Sequence, residues 1–130
     1  MADIKSINWI AGLLEGEGCF GIRTKHNPNI QLYMIDKDIV IRAAQILGAH
    51  KVIEAKKPTS GNYPIYRTII YGTRAIGWMM TLYGLMGIRR QAKIRTCIET
   101  WKLKIRRPYK ERIPYSRGAK IVWQEAHHRR

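Results

Sequence analysis

The stretch "WIAGLLEGEGCF", Trp9 to Phe20, ends an apolar run with two glutamates, Glu15 and Glu17, in a chain whose formal net charge is +15. Of its 24 bases only Lys5 falls within residues 1–18, whereas three of its 9 acids do: Asp3, Glu15 and Glu17. The spacing predicts a helix from about Ile7 to Glu17, capped by Ser6 or Asp3, with Gly18 as the left-handed residue that stops it. Carboxylates at a helix C-terminus face the negative end of the macrodipole, at a cost of ~0.3–1 kcal/mol each. Either two surface glutamates tolerate that cost, or a divalent cation reverses it. Carboxylate and backbone carbonyl oxygens are hard ligands that suit Mg²⁺. Positions 15 and 17 lie about 200° apart on a regular helix, so the pair cannot address one ion together.

The glycines bear on the same point. Gly12 and Gly16, with Ala11, form a face almost without side chains, at a cost of about 1 kcal/mol of helix propensity per glycine. Such a face permits close backbone approach. It suits either packing of the helix on its own sheet or a two-fold contact between two copies. In the second case Glu17 of each copy arrives near one point, beside which two basic surfaces could hold a polyanion.

The length of 130 residues fits one domain, and a hydrophobic content of 45% is that of a folded chain. A pI near 10.3 makes nucleic acid or an anionic membrane surface the first partner to consider. No stretch approaches the ~20 apolar residues of a spanning helix, and the N-terminus lacks a signal peptide's order of regions. Cys19 and Cys97 are too few for a disulfide framework or a zinc site, and suit a reducing, intracellular setting, cytoplasmic or nucleoid-associated.

Beyond Gly18, "CFGIRTK" alternates: Phe20, Ile22 and Thr24 point one way, Gly21, Arg23 and Lys25 the other. "HNPN" reads as a turn and "IQLYMI" as the second strand of a hairpin. Asp36 or Asp38 caps a helix that buries Ile39, Ala43, Ile46 and Leu47 and stops at Gly48. "KVIEAK" and "IYRTIIYG" read as two more strands joined by the long loop "KPTSGNYP". Thr73 caps a third helix, Arg74 to about Met86, in which Trp78, Met79 and Met80 are core residues. A fourth, roughly Arg89 to Ile105, buries Ile94, Ile98, Trp101 and Ile105. It leaves Arg90, Lys93, Lys102 and Lys104 to solvent or a ligand.

The expected fold class is α+β, in the order αββαββα, with an antiparallel four-stranded saddle and helices on one face. The other face carries Arg23, Lys25, Gln31, Tyr33 and Arg67, with Lys37 and Lys56 nearby, as candidate DNA contacts. Residues 1–105 form the domain. Residues 106–130 form a basic extension whose acids, Glu111 and Glu125, stand among eight bases. The extension is expected to be partly helical around Ala119 to His127. His127 and His128 have no partnering carboxylate cluster there and are taken as tail residues.

The nine residues "IAGLLEGEG", Ile10 to Gly18, resemble the signature of the LAGLIDADG homing endonucleases. Ile10 stands for the first leucine, Ala11, Gly12 and Leu13 follow the signature, and Leu14 replaces the isoleucine. Glu15 and Glu17 occupy the acidic positions and Gly16 the second alanine. "MGIRRQAKI", Met86 to Ile94, is weakly similar to the start of the family's last core helix.

The resemblance implies a metal-dependent DNA endonuclease associated with intron or intein mobility. Its partner is double-stranded DNA, with no small-molecule substrate and no membrane. Mg²⁺ is the implied cofactor, with Mn²⁺ as a substitute, held by Glu17 and the Gly16 carbonyl. The dimer interface would involve Ala11, Gly12, Leu13, Glu15 and Gly16. Only one copy of the signature is present, since "AIGWMMTLYG" has no acid, so a homodimer on a palindromic or nearly palindromic site is implied. Asp36, with Lys37 beside it, matches the family's polar residue near the end of the second strand. Where many members have a lysine before the last core helix, this chain has Ile88, Arg89 and Arg90. These arginines are counted with the catalytic set, but they cannot release a proton and can act there only by charge. A non-cleaving DNA-binding regulator or an RNA-splicing maturase on the same scaffold is the alternative.

Overall fold

The computed structural model describes residues 2–23, 27–55, 63–104 and 120–125. Helix α1 (Ile4–Glu17) begins where the Asp3 carboxylate accepts the Ser6 N–H at 2.8 Å, a contact that holds the Asp3 carboxyl below its ordinary pKa. It passes directly into β1 (Gly18–Arg23), which is followed by β2 (Asn27–Met34), α2 (Lys37–Leu47), β3 (Lys51–Ala55) and β4 (Ile65–Tyr71). Next come α3 (Gly72–Leu82), a 3-10 turn at Tyr83–Leu85, α4 (Ile88–Lys104) and β5 (Lys120–Gln124).

The chain has the expected α+β architecture, with one addition. The sheet is antiparallel with five strands in the order β1-β2-β4-β3-β5. The anticipated helix around residues 119–127 is a strand over Lys120–Gln124. Its Ile-Val-Trp run suits a pleated surface, and β3 offers an edge of unpaired backbone groups. Trp123 pairs with Val52 and, with Val122, packs against the core.

Alternation along the strands sorts the two faces. Phe20, Ile30, Leu32, Val52 and Ile70 join one buried cluster with Ile10 and Leu14 of α1 and Ala44 and Leu47 of α2. Met79 and Leu82 of α3 and Ile94 and Cys97 of α4 complete it. The helices thus lie on one face and leave the other open.

Four local expectations change. "HNPN" is not all turn, because β2 already includes Asn27, Pro28 and Asn29. Pro28 stands opposite Ile22 of β1 near the end of that ladder and has no partner in β4, which pairs with β2 from Asn29 onward. The third helix starts at Gly72, with Tyr71 rather than Thr73 at its cap, and gives way to the 3-10 turn at Tyr83. Asp36 occupies the cap position of α2 without a side-chain bond, whereas Gly48 ends that helix with φ 74°, as anticipated.

Gly18 is extended, with φ −80° and ψ 166°, not left-handed. Glycine is required there by space. A Cβ at 18 would stand 2.5 Å from Leu14 Cδ2 and 2.9 Å from its Cα. The Gly18→Ala variant should lose about 1–3 kcal/mol through overpacking. Urea unfolding should show a lower midpoint with an unchanged slope.

Candidate functional site

The outer strip of α1 is bare. Gly12 and Gly16 are exposed, and a Cβ built on either meets none of the described residues within 4 Å. Packing of the helix on its own sheet therefore does not account for these glycines. Ala11 does not share their face: it is buried with Ile10 and Leu14, while Leu13 is half-buried beside them.

The two glutamates have separate environments. Glu17 is exposed, and its carboxylate has no hydrogen-bond or ion-pair partner among the described residues. Glu15 turns the other way, and its Oε1 accepts the Gly87 N–H at 2.7 Å. Gly87 supplies the carbonyl for the first turn of α4, bonded by the Gln91 N–H at 2.9 Å. The Glu15 carboxylate thus sits at the positive end of that helix, where a negative charge is favoured.

Arg90, expected to face solvent or a ligand, is instead folded over the end of α1, with a side chain only 16% exposed. Its Nη2 donates to the Glu15 carbonyl at 3.1 Å and its Nη1 to the Gly18 carbonyl at 2.5 Å. The Glu15 carboxylate lies 3.9 Å from its Nε, and the Phe20 ring lies 5.9 Å from its guanidinium carbon. The reason is positional. Arg90 lies one helical turn before fully buried Ile94, so α4 carries it against the α1–β1 junction. Arg89 is exposed, as is Ile88, near where the resemblance implies a lysine.

The hairpin register places Gly18 opposite Leu32, so Glu17 and Asp36 stand at the same end of the sheet. Asp36 and Lys37 are exposed there. Among the described residues no group of three or more His, Cys, Asp and Glu side chains could hold an ion, so these residues of one chain present at most part of a metal site.

The open sheet face carries Arg23, Gln31, Tyr33 and Arg67, as the alternation implied, whereas Lys25, Lys56, His127 and His128 lie outside the described residues. Sequence reasoning missed Asn29. It is 1% exposed yet lies on this polar face, where Gln31 Nε2 donates to its Oδ1 at 3.3 Å. Tyr33 Oη donates in turn to Gln31 Oε1 at 2.6 Å. Counting back by twos from Tyr33 and Gln31 reaches Asn29, so the alternation could have found it had "HNPN" not been read as a turn. Arg67 pairs across the ladders with Tyr33 and Ile53, and its Nε is buried without a hydrogen-bond partner among the described residues. On the core side Cys97 Sγ–H faces the Gly21 carbonyl at 3.6 Å, and burial pushes its thiol pKa up, which makes it a poor nucleophile.

Compared by sequence, the chain matches no protein-family model and no curated protein. Compared by structure, it is similar to the intron-encoded homing endonuclease I-CeuI complexed with DNA, with a TM-score of 0.60 and 14% identity. That match covers 79% of this chain and 56% of that one. Similarity to I-CvuI in complex with its target has a TM-score of 0.57 and 16% identity over 77% and 68% of the two chains. The LAGLIDADG meganuclease I-CpaMI bound to uncleaved DNA gives 0.58 and 14%, over 75% of this chain and 36% of that one. The fold is that of the LAGLIDADG homing endonucleases.

On this homing-endonuclease fold the junction of α1, β1 and α4 is closed by one carboxylate and one guanidinium. Removing the carboxylate leaves the Gly87 N–H without its acceptor and Arg90 without its counter-charge. The Glu15→Ala variant should therefore lose about 1–3 kcal/mol. Chemical denaturation should show this loss, and Glu15→Gln, which keeps an oxygen acceptor, should lose less.

Proposed function

We propose that the protein is a site-specific DNA endonuclease that works as a homodimer with a divalent metal, Mg²⁺ in the first place. One observation carries this reading: the Glu17 carboxylate, without a partner among the described residues, ends a helix whose glycine strip packs against none of them. A second copy laid along Gly12 and Gly16 would use that strip and bring two Glu17 side chains toward one axis.

The donor set fits the metal. The Glu17 carboxylate and the Gly16 carbonyl are hard oxygens at the negative end of α1, where a cation is favoured. The partner copy and DNA phosphate oxygens would complete what one chain leaves partial. When bound, a divalent ion supplies Lewis acidity at the scissile phosphate and neutralises charge on the oxygens around it. Glu17 binds and orients that group. Asp36 Oδ, at the same end of the sheet and free of a capping bond, accepts a hydrogen bond from water near the phosphate and orients it. Arg89 adds positive charge beside the cleaved strand. I-CvuI was crystallised with DNA once in the presence of Ca and once in the presence of Mg with the DNA not cleaved, which supports the partner and the ion class.

The open face then holds the duplex. Arg23 and Arg67 meet phosphates or base edges, and the linked Tyr33, Gln31 and Asn29 present fixed donors and acceptors to the groove. No helix among the described residues is long and apolar enough to cross a membrane.

Incubation of the protein with a randomised duplex library and Mg²⁺ should yield site-specific double-strand breaks. Glu17→Gln should lower the cleavage rate about 100-fold or more while leaving DNA binding in place. Tight specific binding without cutting in any divalent metal would leave a DNA-binding regulator instead. Affinity should fall with a log–log salt slope of about −0.9 per neutralised phosphate.

The Gly12→Ala variant separates the glycine's two possible roles. Within one chain the methyl has room and improves helix propensity by about 1 kcal/mol. Across a two-fold contact it intrudes. Sedimentation should show a smaller dimer fraction with the helical signal undiminished.

A further inference from the structure

We infer that Arg90 is a positioning residue for the acidic tip: its guanidinium brackets the Gly16–Glu17 segment and fixes how the two proposed oxygen donors are presented. The inference rests on Glu17 as a metal ligand, but its geometric part stands separately.

The last carbonyls of a helix have no intrahelical partner and must find another. At the end of α1 the Leu14 carbonyl is taken by the Gly18 N–H. Arg90 takes the Glu15 and Gly18 carbonyls, which flank Gly16 and Glu17 on either side. The Gly16 carbonyl and the Glu17 carboxylate lie between these two held carbonyls, and the carboxylate has no partner among the described residues. Two N–H groups of one planar fork fix the spacing of their acceptors, which the single ammonium of a lysine does not.

The bracket is itself anchored. Arg90 Nε is buried without a hydrogen-bond partner among the described residues, and the fork meets the carbonyls by its terminal nitrogens. The Glu15 carboxylate supplies a counter-charge 3.9 Å away and ties the base of Arg90's helix through Gly87. That counter-charge matters for a metal site, because an uncompensated guanidinium beside it would repel the cation. Arg90 thereby acts on the ion through Glu17 and Gly16 and makes no contact with substrate.

The test uses the full-length protein without DNA, as wild type, Arg90→Lys, Arg90→Gln and Glu17→Gln. Amide hydrogen exchange at Glu17 and Gly18 is measured beside Val40 and Val52, and Mn²⁺ binding is titrated by electron paramagnetic resonance. Arg90→Gln should exchange about tenfold faster at Glu17 and Gly18, with Val40 and Val52 unchanged. Its Mn²⁺ affinity should fall by about tenfold, with Arg90→Lys between it and wild type.

Unchanged exchange at Glu17 and Gly18 in Arg90→Gln overturns the inference. So does equal acceleration at all four sites, or loss of the fold in both Arg90 variants, since either makes Arg90 a general staple. Local acceleration with undiminished Mn²⁺ affinity overturns it as well. If wild type and Glu17→Gln have the same Mn²⁺ affinity, and still do when a duplex is added, the metal role of Glu17 fails. The exchange measurement then still decides whether the bracket exists.

Discussion

The passage of α1 into β1 without an intervening residue is the constraint on which the rest of the molecule depends. Glu17 closes the helix and Gly18 opens the strand, with Leu14 packed where any side chain at 18 would stand. The contact fixes the angle between helix and strand. Because β1 then sets the register of β2, and β2 that of β4, the whole open face is oriented relative to the helix end. A helix tip and a sheet edge that could have drifted apart are thus held as one rigid corner, and α4 locks it from outside through Arg90 and Glu15.

Two glutamates two residues apart serve opposite purposes because the helix turns them to opposite environments. Glu15 is bound to the start of α4 and lowers the cost of bringing a guanidinium into a half-buried position. Glu17 has no such compensation, and it adds a negative charge where the helix dipole already disfavours one. The open face shows a comparable expense. There the buried Arg67 Nε is a polar group withdrawn from water with no hydrogen-bond partner among the described residues. Local expense at both places suits surfaces that find their missing partners in another molecule.

Much of this was legible in the sequence. The glycine spacing, the acid pair and the alternation after Gly18 led to the α+β layout and to the sides of the sheet on which Phe20 and Arg23 fall. What was not legible depended on contacts distant along the chain. The role of Gly18 looks the same in sequence whether a left-handed turn or a neighbouring Leu14 demands it. Arg90 looked like one more base on a basic helix, because its burial follows from how α4 docks on α1. Ala11 seemed to extend the glycine face, although a helix turns it by 100° from Gly12 and into the core. β5 was misread because a short Ile-Val-Trp run in a charged tail gains its structure from the edge of a strand some seventy positions earlier.

That fifth strand has a consequence for the order in which the molecule is made. β3 gains its outer partner only from Lys120–Gln124, which leave the ribosome after every other described element. Until then a nascent chain carries an exposed edge able to pair with a neighbouring nascent copy. Closing that edge is also among the least local steps in the fold, joining residues near 51 to residues near 124, and such steps are slow. For a protein read as a dimer through α1, the late strand places a second self-association hazard at the far edge of the sheet. β5 removes that hazard by occupying the edge.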